Sequence, residues 1–132
     1  MRTKSVLGAY ALLAYLKKES GWSRVRGILA SKETDVLMNS VNVGEVYYIL
    51  ARERGLRAGE HFLSVILPGL PIAVTENTLE EVIEAARVKA NASLSFADCF
   101  AAATAVREGV PLVTGDPEFR KLGKTLKIDW IG

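Results

Sequence analysis

Three carboxylates occupy positions that a parallel α/β chain would gather at one edge. Asp116 directly follows the apolar run "PLVT", so it sits at the carboxyl end of a strand. Asp98 is in the first turn of "SLSFADCFAAATAVREG", the helix leading into that strand. If the strand is parallel, this helix runs the opposite way and its N-terminus lies at the same edge. Glu45 falls in the first turn or so of the helix after "DVLM", again at that edge, and Gly8 ends the first strand beside them. Glu45 and Asp98 have apolar neighbours, "NVGEVYYIL" and "SFADCFAAATA", and carboxylates are rarely buried without a partner. Like charges on one rim repel and a cation relieves them. All-oxygen ligands suit a hard divalent ion, Mg²⁺ or Mn²⁺.

Each acid also has a plain structural reading. Ser95 and Asp98 fit a capping-box spacing. Asp116 before Pro117 fits an N-cap with proline at the first helical position. Glu45 near a helix start suits the macrodipole. Spacing alone leaves both readings open.

The elements that would position these acids alternate along the chain. "KSVLG" reads as the first strand, followed by a helix over 10–18 that "ESG" ends. Trp22, Val25, Ile28 and Leu29 recur at helical spacing, so a second helix runs to about Ser31. "DVLM" is the second strand. Ser40 or Asn42 caps a third helix with Val43, Val46, Tyr47 and Leu50 as its apolar stripe, ending near Gly55. Residues 58–66 read as a shorter helix closed by "PGLP". "PIAVT" is the third strand. Thr78 and Glu81 form a capping box for a helix whose buried face would be Leu79, Val82, Ile83 and Ala86. The helix carrying Asp98 is apolar nearly all round, hence buried, and Gly109 stops it. "PLVTG" is the fourth strand, "DPEFRKL" a helical turn and "KIDWIG" a final short strand. Strands alternating with helices give an α/β fold with a mainly parallel, roughly five-stranded sheet covered on both faces. Ligands in such folds sit outside the carboxyl ends of the strands. No G-x-G-x-x-G follows the first strand, and no Walker A lysine motif occurs.

The 132 residues fit one domain spanning 1–132, and with 49% apolar residues disorder is excluded. No apolar run is long enough to span a bilayer, and the N-terminus has no signal-peptide pattern. The single Cys99 excludes an internal disulfide framework and a cysteine-rich zinc site. A soluble, cytoplasmic protein is expected. The net charge of +2 permits nucleic-acid binding without arguing for it.

The segments "VLGAYALLAYL", "SVNVGEVYYIL", "SLSFADCFAAATA" and "LVTGDPEF", in that order and ending with "IDWIG", resemble a PIN domain, and within that family a VapC-type toxin of a prokaryotic VapBC toxin–antitoxin pair. The resemblance covers nearly the whole chain. It implies a three-layer α/β/α fold and an Mg²⁺- or Mn²⁺-dependent endoribonuclease with an acidic quartet. Glu45, Asp98 and Asp116 match three of its members, Thr114 a hydroxyl position beside the last acid, and Ser40 another polar position near the site. The fourth position, an aspartate in the family, is Gly8 here. The chain is then either a naturally degenerate copy or a toxin silenced at Gly8, with retention of the other three acids favouring the second. The resemblance also implies a VapB-type antitoxin and a homodimer. For the RNA, Arg120 and Lys121 are the basic residues nearest the site in sequence, beside Lys17, Lys18 and the Arg52, Arg54, Arg57 cluster. Tyr10 is the aromatic nearest the site; no stacking platform for bases is visible. His61, in "GEHFLS", reads as an ordinary surface or boundary residue. Two rival readings are a pseudoenzyme that binds RNA or antitoxin without cutting, and an α/β binding domain with unrelated ligands.

Overall fold

Alternation of facing side chains along the first strand divides the core in two. The computed structural model describes residues 2–132. In β1 (Thr3–Leu7), Val6 packs into one apolar cluster and Leu7 into the other, on opposite faces of the sheet, as the two-residue period of a strand requires. Leu7 joins α1 (Ala9–Lys17), α2 (Trp22–Ala30) and α3 (Ser40–Arg54). Val6 joins α5 (Leu79–Asn91) and α6 (Phe96–Glu108). With β2 (Thr34–Asn39), β3 (Ile72–Thr75), β4 (Leu112–Thr114) and β5 (Ile128–Trp130), β1 forms a five-stranded sheet in the order β3-β2-β1-β4-β5. Every pairing is parallel. The expected α/β/α layering is therefore present and the sheet is wholly parallel. The chain leaves β1 toward β2 and resumes on its other side at β4, so the crevice between β1 and β4 is a topological switch point.

Most helix ends follow local chemistry. Thr78 and Glu81 make the reciprocal capping box of α5. Gly109, in a left-handed conformation, ends α6. Three details differ from the sequence reading. The cap of α3 is Asn39, whose side chain accepts from Val41 N, rather than Ser40 or Asn42. The helix placed at 58–66 begins earlier, as α4 (Leu56–His61), and its second half widens into a π-turn over Phe62–Ile66 before a 3-10 turn at Leu67–Gly69. In α5 the inner face is Ala85, with Val82 and Val88 partly buried beside it. Leu79 and Ile83 point outward and are 77% and 40% exposed. The small residues of α6 accept Ala85 closely, and that packing sets the rotation of α5. Among the described residues, no helix is long and apolar enough to cross a membrane.

Candidate active site

The carboxyl edge of the sheet collects all four positions singled out by sequence. Gly8 follows β1 and precedes α1. Its φ of −81° and ψ of 163° are extended values open to any residue. A Cβ built there would lie 3.4 Å from Val113 O, 3.6 Å from Leu112 Cδ1 and 3.9 Å from Thr114 Cβ, all ordinary contacts. Backbone geometry and space therefore do not require glycine. A side chain at position 8 would leave the sheet on the face that carries Leu112 and α6.

Asp116 follows β4 and is fixed twice. Its N–H donates to Thr114 Oγ1 at 3.1 Å, and its Oδ1 accepts from Glu118 N at 3.0 Å. With Pro117 next, it caps the 3-10 segment Pro117–Thr125 as expected. Thr114 is fully buried. Its contact with this turn makes it a positioning residue for Asp116. Asp98 lies in the first turn of α6, where its N–H donates to Ser95 Oγ at 3.1 Å. Its carboxylate accepts no reciprocal bond from Ser95 N, so the capping box is half made. Burial is the main influence raising the Asp98 pKa; the Ser95 hydroxyl opposes it, and the charges of Asp116 and Glu118 raise it further.

Glu45 lies one turn deeper in α3 than expected, since no acid occupies the first turn of that helix. The macrodipole reading therefore loses its basis. Burial pushes the Glu45 pKa up, a hydrogen bond from Asn42 opposes this, and Asp98 and Asp116 add to the rise. The charges of Asp98 and Asp116 thus reach Glu45, and that of Asp116 reaches Asp98. Among the described residues, however, no three His, Cys, Asp or Glu side chains stand close enough to ligate one ion together.

Two groups outside the sequence reading hold this edge. Asn42, 1% exposed, donates from Nδ2 to Glu45 Oε1 at 3.3 Å and to Ala97 O at 3.0 Å. It therefore bridges α3 to the residue before Asp98. Exchanging its amide O and N would set an oxygen against two acceptors, so chemistry fixes its orientation. Its Oδ1 has no hydrogen-bond partner among the described residues. Asn39 donates from Nδ2 to Asn77 Oδ1 at 2.8 Å and to Thr104 Oγ1 at 3.0 Å, while Asn77 returns a bond to Asn39 Oδ1 at 3.0 Å. Thr104 in turn donates to Phe100 O. Amides at the end of β2 and in the loop after β3 are joined to a hydroxyl of α6 without any charge. Two asparagines three apart in "MNSVNVGE", at the end of an apolar strand, were the available signal.

The remaining candidates are distributed around this edge. Ser40 accepts from Asn77 Nδ2 at 3.3 Å and so belongs to the amide network. Tyr10 is 47% exposed and its ring lies against Gly115, where a Cβ would come within 2.5 Å of Cε1. Lys121 pairs with Glu118 and donates to Ser93 O at 2.9 Å. Arg120 stands over the Trp130 ring, 5.0 Å from its centroid. Lys17 pairs with Glu53 and Glu19, and Arg52 lies over Tyr48. His61 is exposed, as read.

The donor set is hard oxygen throughout, and the orphaned Asn42 Oδ1 is an acceptor left for a water or ligand proton. Mg²⁺ commonly takes one or two carboxylates and completes its shell with water, a demand that Asp98 and Asp116 fit. The arrangement defines a parallel α/β protein with acids at the switch point. More particularly, the chain belongs to the PIN-domain family, whose model matches residues 6–125. No curated protein sequence matches it. Solved structures resemble it in fold. The DNA-bound VapBC of Salmonella typhimurium aligns with a TM-score of 0.74 and 15% identity over 98% of this chain and 99% of that one. VapC20 of Mycobacterium tuberculosis, described as a sarcin–ricin-loop-cleaving toxin, aligns at 0.73 and 20% identity over 90% and 95%. VapBC2 of Rickettsia felis, bound to promoter DNA, aligns at 0.71 and 16% identity over 96% and 98%.

Proposed function

We propose that this chain is the toxin of a toxin–antitoxin pair, a divalent-metal-dependent endoribonuclease whose cleavage is impaired by Gly8. The observation that carries the reading is the gathering of Glu45, Asp98 and Asp116 at the β1–β4 switch point, with the open Cβ direction of Gly8 on the α6 face. The likeness in fold to VapC20 and to VapBC assemblies supports the substrate class and a VapB-type antitoxin partner. A homodimer in the cytoplasm accords with the family resemblance.

Asp98 and Asp116 would hold the ion, with Glu45 as the third acid. Bound there, Mg²⁺ or Mn²⁺ would neutralise charge at the phosphodiester and lower the pKa of an attacking water. The chain's own residues set the stage. Thr114 fixes the Asp116 turn, Asn42 fixes Glu45, and each of the three acids is half-buried. Glycine at position 8 removes one negative charge and two oxygens, leaving the ion less firmly placed.

The test pairs this chain with its Gly8→Asp variant on a total RNA pool, with Mn²⁺ and with chelator. Cleavage by Gly8→Asp alone, dependent on metal and abolished by Asp116→Asn, is the expected result. Ready cleavage by the unmodified chain refutes the impairment. Failure of both folded proteins to cut favours the pseudoenzyme.

A further inference from the structure

Two exposed aromatic rings flank the turn that carries Asp116, and only Tyr10 was visible as a candidate from sequence. The second is Trp130. It is registered with Thr114 across the β4–β5 pair, about 4.8 Å away along the sheet, so both side chains leave the sheet on the same face. Ile131 N donates to Thr114 O at 3.2 Å and locks this register beside the acidic turn. Trp130 is 39% exposed at the carboxyl edge, so part of its ring is open to a ligand. Its ring carries the Arg120 guanidinium at 5.0 Å. Arg120 is itself exposed and makes no ion pair among the described residues. Its planar group therefore presents an outer face and free N–H donors to solvent.

We infer that the Trp130–Arg120 pair is a stacking site for one unpaired base of a single-stranded RNA segment, one strand away from the carboxylates. The assignment rests on the nuclease reading of the site. An aromatic face and a guanidinium plane both stack on nucleobases without regard to sequence, and the arginine N–H groups reach the adjoining phosphate. With Tyr10 on the other side of Gly115, the strand would place bases on both flanks of the acidic turn. A protein partner fits less well. The patch is one ring under a cation, and the neighbouring Asp129 is already paired with Arg24 at 2.8 Å.

The experiment uses the full chain in chelator, so that nothing is cut, with a fluorescein-labelled mixed-sequence single-stranded RNA and the corresponding duplex. Anisotropy gives the affinity. Quenching of tryptophan emission in a Trp22→Phe background reports Trp130 alone. Single-stranded RNA should quench Trp130 and duplex should not. Trp130→Ala should weaken single-strand binding about tenfold while Trp130→Phe retains most of it. Arg120→Ala should lower the salt dependence by about one phosphate contact, which Trp130→Ala should not. RNA binding that persists unchanged in a folded Trp130→Ala, with no quenching, overturns the stacking site and leaves the nuclease reading standing. Absence of RNA binding by both this chain and Gly8→Asp overturns that reading and the stacking site with it. A Trp130→Ala defect confined to a protein partner overturns the assignment to RNA.

Discussion

Placing a carboxylate at position 8 tests the electrostatic reading of the rim without relying on catalysis. Gly8→Asp meets no steric obstacle, since the new Cβ would lie 3.4 Å or more from its neighbours. Locally the change is favourable. Aspartate is at least as good an N-cap for α1 as glycine, and losing glycine reduces the unfolded chain's freedom, together about 1 kcal/mol. Against this stand Glu45, Asp98 and Asp116. For like charges about 7 Å apart in an effective dielectric midway between water and a protein surface, each pair costs about 1 kcal/mol. The metal-free variant should therefore be about 2 kcal/mol less stable than the parent near neutral pH. For a domain of this size, that lowers the melting temperature by about 5–10 °C. The deficit should shrink on acidification, as the carboxylates protonate. Mn²⁺ at about a hundred times its dissociation constant should restore about 2.7 kcal/mol to the variant and less to the parent, which holds the ion more weakly. Scanning calorimetry of both proteins, in chelator and in Mn²⁺, measures each quantity. A Gly8→Asp protein that melts with the parent at every pH and ignores Mn²⁺ would falsify the shared acidic site.

Three further perturbations have defined outcomes. Asn42→Ala removes the link between α3 and the Ala97 carbonyl, with both of its hydrogen bonds, and should cost about 1–3 kcal/mol in denaturant titration; a loss below about 0.5 kcal/mol refutes its bridging role. The raised pKa of Glu45 means the folded state favours its protonated form, so its destabilising effect is absent at low pH and grows as pH rises from the ordinary glutamate range through the raised value. Glu45→Gln should accordingly stabilise the metal-free protein near neutral pH, and the advantage should vanish on acidification; chemical unfolding across that range measures it. Gly115→Ala should displace the Tyr10 ring and cost about 1–3 kcal/mol, with Tyr10→Ala in the same chain relieving most of the loss in a double-mutant cycle.

The acids were legible because a parallel α/β chain leaves few places for residues just after strands or at helix starts. Asp116 after "PLVT" and Asp98 before "CFAAATA" had to lie at the same edge once the strands were parallel. Other features depended on tertiary packing. In α5, Leu79, Val82, Ile83 and Ala86 form as regular a stripe as Val82, Ala85 and Val88, and only the surface of α6 selects the second set. The partnership of Asn39 with Asn77 spans thirty-eight positions, and no local pattern pairs two amides at that distance. Trp130 ends a short strand like any aromatic, and its exposure follows from β5 lying at the sheet's edge.

The joints around the carboxylates are neutral. Asn39, Asn77 and Thr104 hold β2, the following loop and α6 with amide and hydroxyl bonds, and none of these groups titrates where carboxylates do. This network uses none of the three carboxylates, so their protonation leaves its bonds in place. Amide protons in the second turns of α3 and α6, which have intrahelical partners, should remain slow to exchange from mildly acidic to mildly alkaline solution, after correction for intrinsic rates. A binding partner that recognises contour rather than charge would grip this chain and its Gly8→Asp variant alike.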